Sequence, residues 1–324
     1  MGFEIQTWIQ AAAFSSAGFA IGFGAIGAAI GEGYTASCAT LAVARNPGKA
    51  GEILKTMLVG QAIAESASIF ALVIAMLLLF TKFSAVSYTT VSTIFGAGLC
   101  MGLGAIGAGI GSGFPAGAAC TGISRQPAFS GRIMTNMLIG SAVCQTPAIF
   151  SLVTSFILLF TNFSGRPFSP TWAALLGAGL ATGLAGIGPG IGGGLVAESS
   201  CEGVARNPLT TPSVTNVMLL GQAVTQTTAI YGFLISCILM FKSFPATESI
   251  AVQMSLLGSG LCMGIGAIGP GLGVGITGQG GVRWIARNPN AAVDITRTML
   301  IGLAVAESTG IYALVIALIM IFVM

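Results

Sequence analysis

The sequence predicts an all-α membrane protein of eight transmembrane helices, arranged as four tandem helical hairpins that assemble into a two-layer ring. Three observations predict this class. Only 6% of the 324 residues are charged and 54% are hydrophobic, against about 25% charged in ordinary soluble domains. Eight apolar spans follow one another, roughly at 8–41, 51–81, 89–122, 130–161, 170–203, 213–241, 250–285 and 293–323. Each exceeds the about 20 residues that cross a bilayer core, so the helices should project beyond it. The spans are also paired by a turn that recurs at steps of 80, 81 and 81 residues.

The repeats divide the chain at 1–84, 85–165, 166–246 and 247–324. Repeat 1 passes through Ala44-Arg45-Asn46-Pro47, and its second span carries Glu65. Repeat 2 turns at Ser124-Arg125-Gln126-Pro127 and carries Gln145 at the matching position. Pro147 follows closely, removes a backbone donor and predicts a kink there. Repeat 3 turns at Ala205-Arg206-Asn207-Pro208 and carries Gln226; repeat 4 turns at Ala286-Arg287-Asn288-Pro289 and carries Glu307. The connectors Thr81–Tyr88, Thr161–Pro170 and Phe241–Thr247 are short, with Pro167, Pro170 and Pro245 as breakers.

The first span of each repeat holds a glycine ladder. Gly22, Gly27, Gly31 and Gly33 recur as Gly102, Gly107, Gly111 and Gly113, then as Gly183, Gly188, Gly192 and Gly194, and last as Gly264, Gly269, Gly273 and Gly275. Glycine costs about 1 kcal/mol inside a helix, so its recurrence needs a packing gain, and small residues let membrane helices approach closely. Small residues at 27, 29, 31 and 33 thin two flanks of one helix. An isolated GxxxG dimer needs only one thinned flank; the inner wall of a ring needs two. The second spans are bulkier, as in Ile69-Phe70-Ala71-Leu72, and fit an outer, lipid-facing layer.

Nine of the twelve basic residues lie in or beside the four turns, while Lys82, Arg166 and Lys242 lie near the connectors. The positive-inside rule therefore places the turns in the cytoplasm and the connectors and termini outside. A net charge of +3 is too small to point to nucleic acid. The seven cysteines show no CxxC spacing and read as small hydrophobes in apolar helices. No cleavable leader is expected, since the first residues carry Glu4 and no basic stretch.

A carboxylate inside an apolar span is expensive and usually handles ions, which singles out Glu65 and Glu307. Glu198 and Glu202 near a helix end, and Glu52 and Asp294 near helix starts, read as solvated or interfacial. A repeat-built secondary transporter could also use two midplane carboxylates. Such transporters pair inverted halves around one site, whereas these four copies run parallel with like turns.

These residues resemble one family, the c subunit (proteolipid) of the rotary F-type ATP synthase. The strings that carry the resemblance are Gly31-Glu32-Gly33-Tyr34, Ala44-Arg45-Asn46-Pro47 and Gly60-Gln61-Ala62-Ile63-Ala64-Glu65-Ser66 in repeat 1. Repeat 4 supplies Gly269-Pro270-Gly271, Ala286-Arg287-Asn288-Pro289 and Ala304-Val305-Ala306-Glu307-Ser308-Thr309-Gly310-Ile311-Tyr312. The resemblance covers nearly the whole chain, as four fused copies of a unit normally present as one hairpin.

It implies a homo-oligomeric c-ring that turns against a stator a subunit, each membrane carboxylate carrying one ion. The ring would lie in a lipid bilayer that is expected to be a bacterial plasma membrane. The resemblance implies no tightly bound cofactor, Na+ or H+ as the transported ion, and no chemistry on ATP by the subunit itself. It further implies that the central-stalk gamma and epsilon subunits seat on the turns, at Arg45, Asn46, Pro47, Arg125, Gln126, Pro127, Arg206, Asn207, Pro208, Arg287, Asn288 and Pro289. The departures are Gln145 and Gln226, which can neither exchange a proton near neutral pH nor balance a cation. Two carriers per chain rather than four imply a low ion-to-ATP ratio. Fused hairpins with missing carboxylates are also similar to the V/A-type proteolipid, which stands as the alternative, as does a proton-carrying rotor.

Sodium-carrying members of the family use a helix 1 Gln or Glu, the helix 2 Glu, the Ser or Thr after it and a backbone carbonyl two residues before it. The helix 1 position reads Glu32, Ser112, Gly193 and Val274. With helix 1 and helix 2 ligands drawn from adjacent hairpins, two pairings arise. In one, Glu307, Ser308 and Thr309 meet Glu32 and the Ile63 carbonyl of the next chain, and Glu65 and Ser66 meet Ser112 and the Val143 carbonyl. In the other, Glu65 meets Val274 and Glu307 meets Gly193. Buried polar groups need partners, so the first pairing is the expected one, with one Na+ site between chains at Glu307 and Glu32 and another at Glu65 and Ser112.

Overall fold

The computed structural model describes residues 4–83 and 87–323. The boundary expected between repeats 1 and 2, at 84 and 85, lies outside the described residues. Repeat 1 comprises α1 (Ile5–Arg45) and α2 (Ala50–Phe80); repeat 2 comprises α3 (Tyr88–Arg125), α4 (Ser130–Cys144) and α5 (Thr146–Phe160). Repeat 3 comprises α6 (Phe168–Ala185), α7 (Ile187–Arg206) and α8 (Thr211–Phe241); repeat 4 comprises α9 (Ile250–Gly266), α10 (Ile268–Arg287) and α11 (Ala292–Phe322). All regular structure among the described residues is helical, and eight spans are long and apolar enough to cross a membrane.

Each turn forms for the same local reason. The residue before a proline is pushed out of the helical region, and Asn46, Gln126, Asn207 and Asn288 all sit at φ between −143° and −134°. The prolines then start one turn of 3-10 helix, as in Pro47–Lys49, where their missing N–H costs nothing. The four arginines just before these turns close the preceding helices, where positive charge complements the helix dipole, and all four are exposed. Asn46 Nδ2 donates to the Ser124 carbonyl at 3.2 Å, and an Arg132 guanidinium nitrogen donates to the Pro208 carbonyl at 3.2 Å, so the turns gather at one end of the bundle.

Proline also explains the breaks. The second span of repeat 2 breaks at Gln145, two residues before Pro147, as expected. The first spans of repeats 3 and 4, expected as single helices, break at Gly186 and Ala267, each three residues before Pro189 or Pro270. A proline ring clashes with the carbonyl four residues back, here that of Ala185 or Gly266. Pro115, by contrast, is accommodated within a continuous α3.

The first helices stand side by side in the order α1, α3, α6/α7, α9/α10, and each second helix packs over its own first helix and the next one. The result is two layers. The glycine ladder works on both flanks, as its spacing predicts. A Cβ on Gly27 or Gly31 would strike the backbone of Ile106 or Gly109 in the following repeat, while one on Gly113 or Gly194 would strike Gly31 or Gly111 in the preceding repeat. The second helices turn Leu72, Val73, Met76, Val315 and Ile316 outward.

Glu198 differs from the solvated reading. Tyr34 crosses over Gly117, where a Cβ would meet its ring, and its hydroxyl donates to Glu198 Oε1 at 2.7 Å. Gln279 Nε2 donates to the other carboxylate oxygen at 3.3 Å. A three-repeat polar brace thus holds this half-buried glutamate. Glu202 remains exposed, 3.9 Å from Arg283, and Glu52 pairs with Lys49 at 3.1 Å on the surface.

Candidate ion site

The register between repeats is read most directly at Gln145. Its Nε2 donates to Ser112 Oγ at 2.6 Å and to the Ala108 carbonyl at 3.4 Å, both in its own repeat. The same amide donates to the Ile63 carbonyl of repeat 1 at 3.0 Å. Ser66 Oγ donates to that carbonyl at 2.7 Å. The helix 1 residue therefore joins the helix 2 residue of the same hairpin, and the carbonyl and hydroxyl come from the preceding hairpin.

Within the chain this register differs from the expected pairing of Glu65 with Ser112. Ser112 is engaged by Gln145 and does not serve Glu65. Gln61, one helical turn before Glu65, donates its Nε2 to the Glu32 carbonyl at 3.2 Å, which sets Glu65 on the side of Glu32 in its own repeat. The same register sets Glu307 on the side of Val274 in its own repeat, where Ala306 packs against Val274. Each second helix packs against both its own first helix and the next one, so the spacing of a repeat does not reveal which of the two its polar side chain meets.

Glu307 Oε1 accepts a hydrogen bond from the Tyr231 hydroxyl of repeat 3 at 2.7 Å. Thr227 Oγ1 donates to the Val224 carbonyl at 2.7 Å, and Ser308 Oγ donates to the Val305 carbonyl at 2.7 Å. Thr309 bonds back to the Ala306 carbonyl at 3.4 Å. Val274 is buried among Leu303, Val224 and Ala306, so the helix 1 side of this site is apolar. In repeat 3, Gln226 Nε2 donates to the Pro189 carbonyl at 3.4 Å, beside Gly193, which offers no side chain. By the same register the Val143 carbonyl belongs to the Gln226 position. The Oε1 atoms of Gln145, Gln222 and Gln226 are buried without hydrogen-bond partners.

Tyr231 was missed from the sequence, although a signal exists. Its position reads Phe70, Phe150, Tyr231 and Tyr312 along the repeats. Phe70 precedes the repeat with Gln145, Phe150 precedes the one with Gln226, and Tyr231 precedes the one with Glu307. The hydroxyl appears one repeat ahead of a glutamate.

Tandem hairpins whose helices are long and apolar enough to cross a bilayer define an integral membrane protein. A family model for the C subunit of ATP synthase matches the chain four times, at 15–78, 95–158, 176–239 and 257–320. The chain belongs to the ATP synthase c-subunit family, as four fused repeats. It is similar to the K subunit of the A-type ATP synthase of Methanocaldococcus jannaschii, 33% identical over 226 residues that cover 69% of this chain and 93% of the relative. It is also similar to the ATP synthase c subunit of Petrotoga mobilis, 52% identical over 69 residues, or 21% of this chain and 72% of the relative. The ATP synthase c subunit of Dehalococcoides mccartyi is 53% identical over 70 residues, or 22% of this chain and 92% of the relative.

Proposed function

We propose that this chain is the rotor-ring subunit of an F-type rotary ATP synthase or ATPase, carrying Na+ or H+ on Glu65 and Glu307. The observation that carries this reading is the Glu307 carboxyl at mid-span, held by Tyr231 of the neighbouring repeat. An acid kept in an apolar span and given a single neutral donor can alternate between a loaded neutral state and a released charged one. At Gln145 an amide makes the contacts with Ser112 and the Ile63 carbonyl instead. It stays neutral throughout, so repeats 2 and 3 act as spacers.

Copies of the chain join head to tail. Gly22 and Gly33, whose counterparts contact the preceding repeat, have nothing beside them at the repeat 1 flank. Gly269, whose counterparts contact the following repeat, is open at the repeat 4 flank. A heterologous contact of this kind generates a ring when its rotation closes. The exposed arginine turns face the cytoplasm and seat the gamma and epsilon subunits, while the outer helices meet the a subunit and lipid.

The F-type assignment rests on single-hairpin identities above one half. An A-type rotor is the second reading, favoured by the long tandem match to the archaeal K subunit. Mass spectrometry of the stalk subunits that copurify with the chain separates the two. The rotor reading itself is tested by ATP-driven ion uptake into vesicles holding the assembled complex. Glu65→Gln combined with Glu307→Gln is expected to abolish uptake; undiminished uptake would refute the proposal.

A further inference from the structure

We infer that a cavity at the connector end of the bundle, built on Lys82 between repeats 1 and 2, binds the phosphate group of an anionic phospholipid. The inference needs only the membrane setting and is independent of the rotor reading.

Three basic residues stand near the connectors: Lys82, Arg166 and Lys242. Two of them are tied to the end of the outer helix that follows. The Arg166 guanidinium donates to the Met240 carbonyl of α8 and stacks over the Phe163 ring at 5.1 Å. Lys242 Nζ donates to the Ile321 carbonyl of α11 at 3.3 Å and lies 3.9 Å from the centre of the Phe322 ring. The last carbonyls of a helix lack intrahelical partners, so both cations have a structural task. Lys82 does not repeat this contact at the end of α5. It is exposed and makes no hydrogen bond or ion pair among the described residues.

Lys82 lines a cavity of about 240 Å³ instead. Buried Thr89 and Thr93, in the first turns of α3, line one side of it, and Thr161 and Asn162 follow α5 on another. Asn162 Oδ1 accepts from the Ser164 amide at 3.0 Å and from its hydroxyl at 2.7 Å. The Nδ2 hydrogens of Asn162 are thereby left to donate elsewhere. The hydroxyls of Thr81 and Thr161 also lack partners among the described residues. Lysine and amide donors of this kind suit phosphate oxygens.

The charge balance selects the form of phosphate. No carboxylate is among the described residues that line the cavity, so one lysine faces the ligand. A phosphodiester carries one negative charge, whereas a phosphate monoester or inorganic phosphate carries nearly two at neutral pH. The N-terminal dipole of α3 favours the same sign. Phe83, Leu159 and Phe160 complete the wall, and Phe160 is exposed on the outer face of the bundle. A lipid can set its diester against Lys82 and lay its chains along α5.

The test is native mass spectrometry of the full chain purified in detergent, with phosphatidylglycerol, phosphatidylcholine or inorganic phosphate added in turn. One phosphatidylglycerol per chain is expected to be retained in preference to phosphatidylcholine, whose choline cancels the phosphate charge. Lys82→Ala is expected to weaken this binding about tenfold, since a charged hydrogen bond is lost, and Lys82→Arg to preserve it. Lys242→Ala removes the same charge from a lysine already engaged, and should leave binding unchanged. Asn162→Asp can still accept from Ser164 but puts a negative charge in the cavity. It should weaken phosphatidylglycerol binding even where Lys82→Ala cannot be purified. Unchanged binding in Lys82→Ala, or an equal loss in Lys242→Ala, overturns the site. Inorganic phosphate held as tightly as phosphatidylglycerol overturns the lipid as its occupant.

Discussion

Gln145 sets a carboxamide, which does not titrate, among oxygens that a carboxyl could also use. These are Ser112 Oγ and the Ile63 carbonyl, with the Ser66 hydroxyl on that carbonyl. Gln145→Glu is therefore expected to create a third carrier, detected as a new carbodiimide-reactive peptide. Gln226→Glu should gain far less Na+ protection, since Gly193 supplies no side chain where Ser112 stands in repeat 2. Equal Na+ protection of the two new glutamates would show that the helix 1 side chain does not matter. The positions of the carboxyls were legible because the repeat is nearly free of insertions. Their partners were not, because lateral pairing depends on which way each outer helix leans. The series Phe70, Phe150, Tyr231 and Tyr312 marks one such partner, Tyr231 for Glu307, but only once it is compared with the glutamates one repeat later.

At the scale of the helix, glycine decides how closely the inner layer packs. A Cβ on Gly111 would run into the Gly190 carbonyl, fixed backbone that cannot yield as a side chain could. Gly111→Ala is expected to destabilise the chain by about 1–3 kcal/mol, as overpacked interiors are, measurable as a lower unfolding temperature in detergent. Gly33→Ala meets nothing within the chain, so its unfolding should be unchanged while the ring dissociates more readily on gels. A loss of chain stability equal to that of Gly111→Ala would refute the head-to-tail junction. Helix identity and pairing were readable from hydrophobicity and from the proline turns. The breaks at Gly186 and Ala267 were not, although Pro189 and Pro270 sit in plain view. Pro115 also lies inside its helix and breaks nothing, so an interior proline does not by itself say where a helix breaks.

At the scale of the whole molecule, two carriers among four hairpins would set the gearing of the proposed rotor. A charge crossing the membrane is worth about 2.3 kcal/mol per 100 mV. Halving the ions per turn then requires about twice the potential to drive the same synthesis, and the same rotor pumps against a steeper gradient when run by hydrolysis. The membrane potential at which synthesis stalls, compared with that of a rotor having one carboxylate per hairpin, checks this. Equal stall potentials would refute it.

The order of the repeats has a mechanical consequence. Passing from one copy to the next, Glu307 is followed at once by the Glu65 of its neighbour, and then two glutamine hairpins pass before the next acid. If the proposed ring turns, its gait would limp, one short stride between paired acids and one long stride across the mute hairpins. During the long stride no new ion can rectify thermal motion, so the rotor coasts on whatever twist the stalk has stored. A compliant shaft would act as its flywheel, and a stiff one would leave it stalled between footholds.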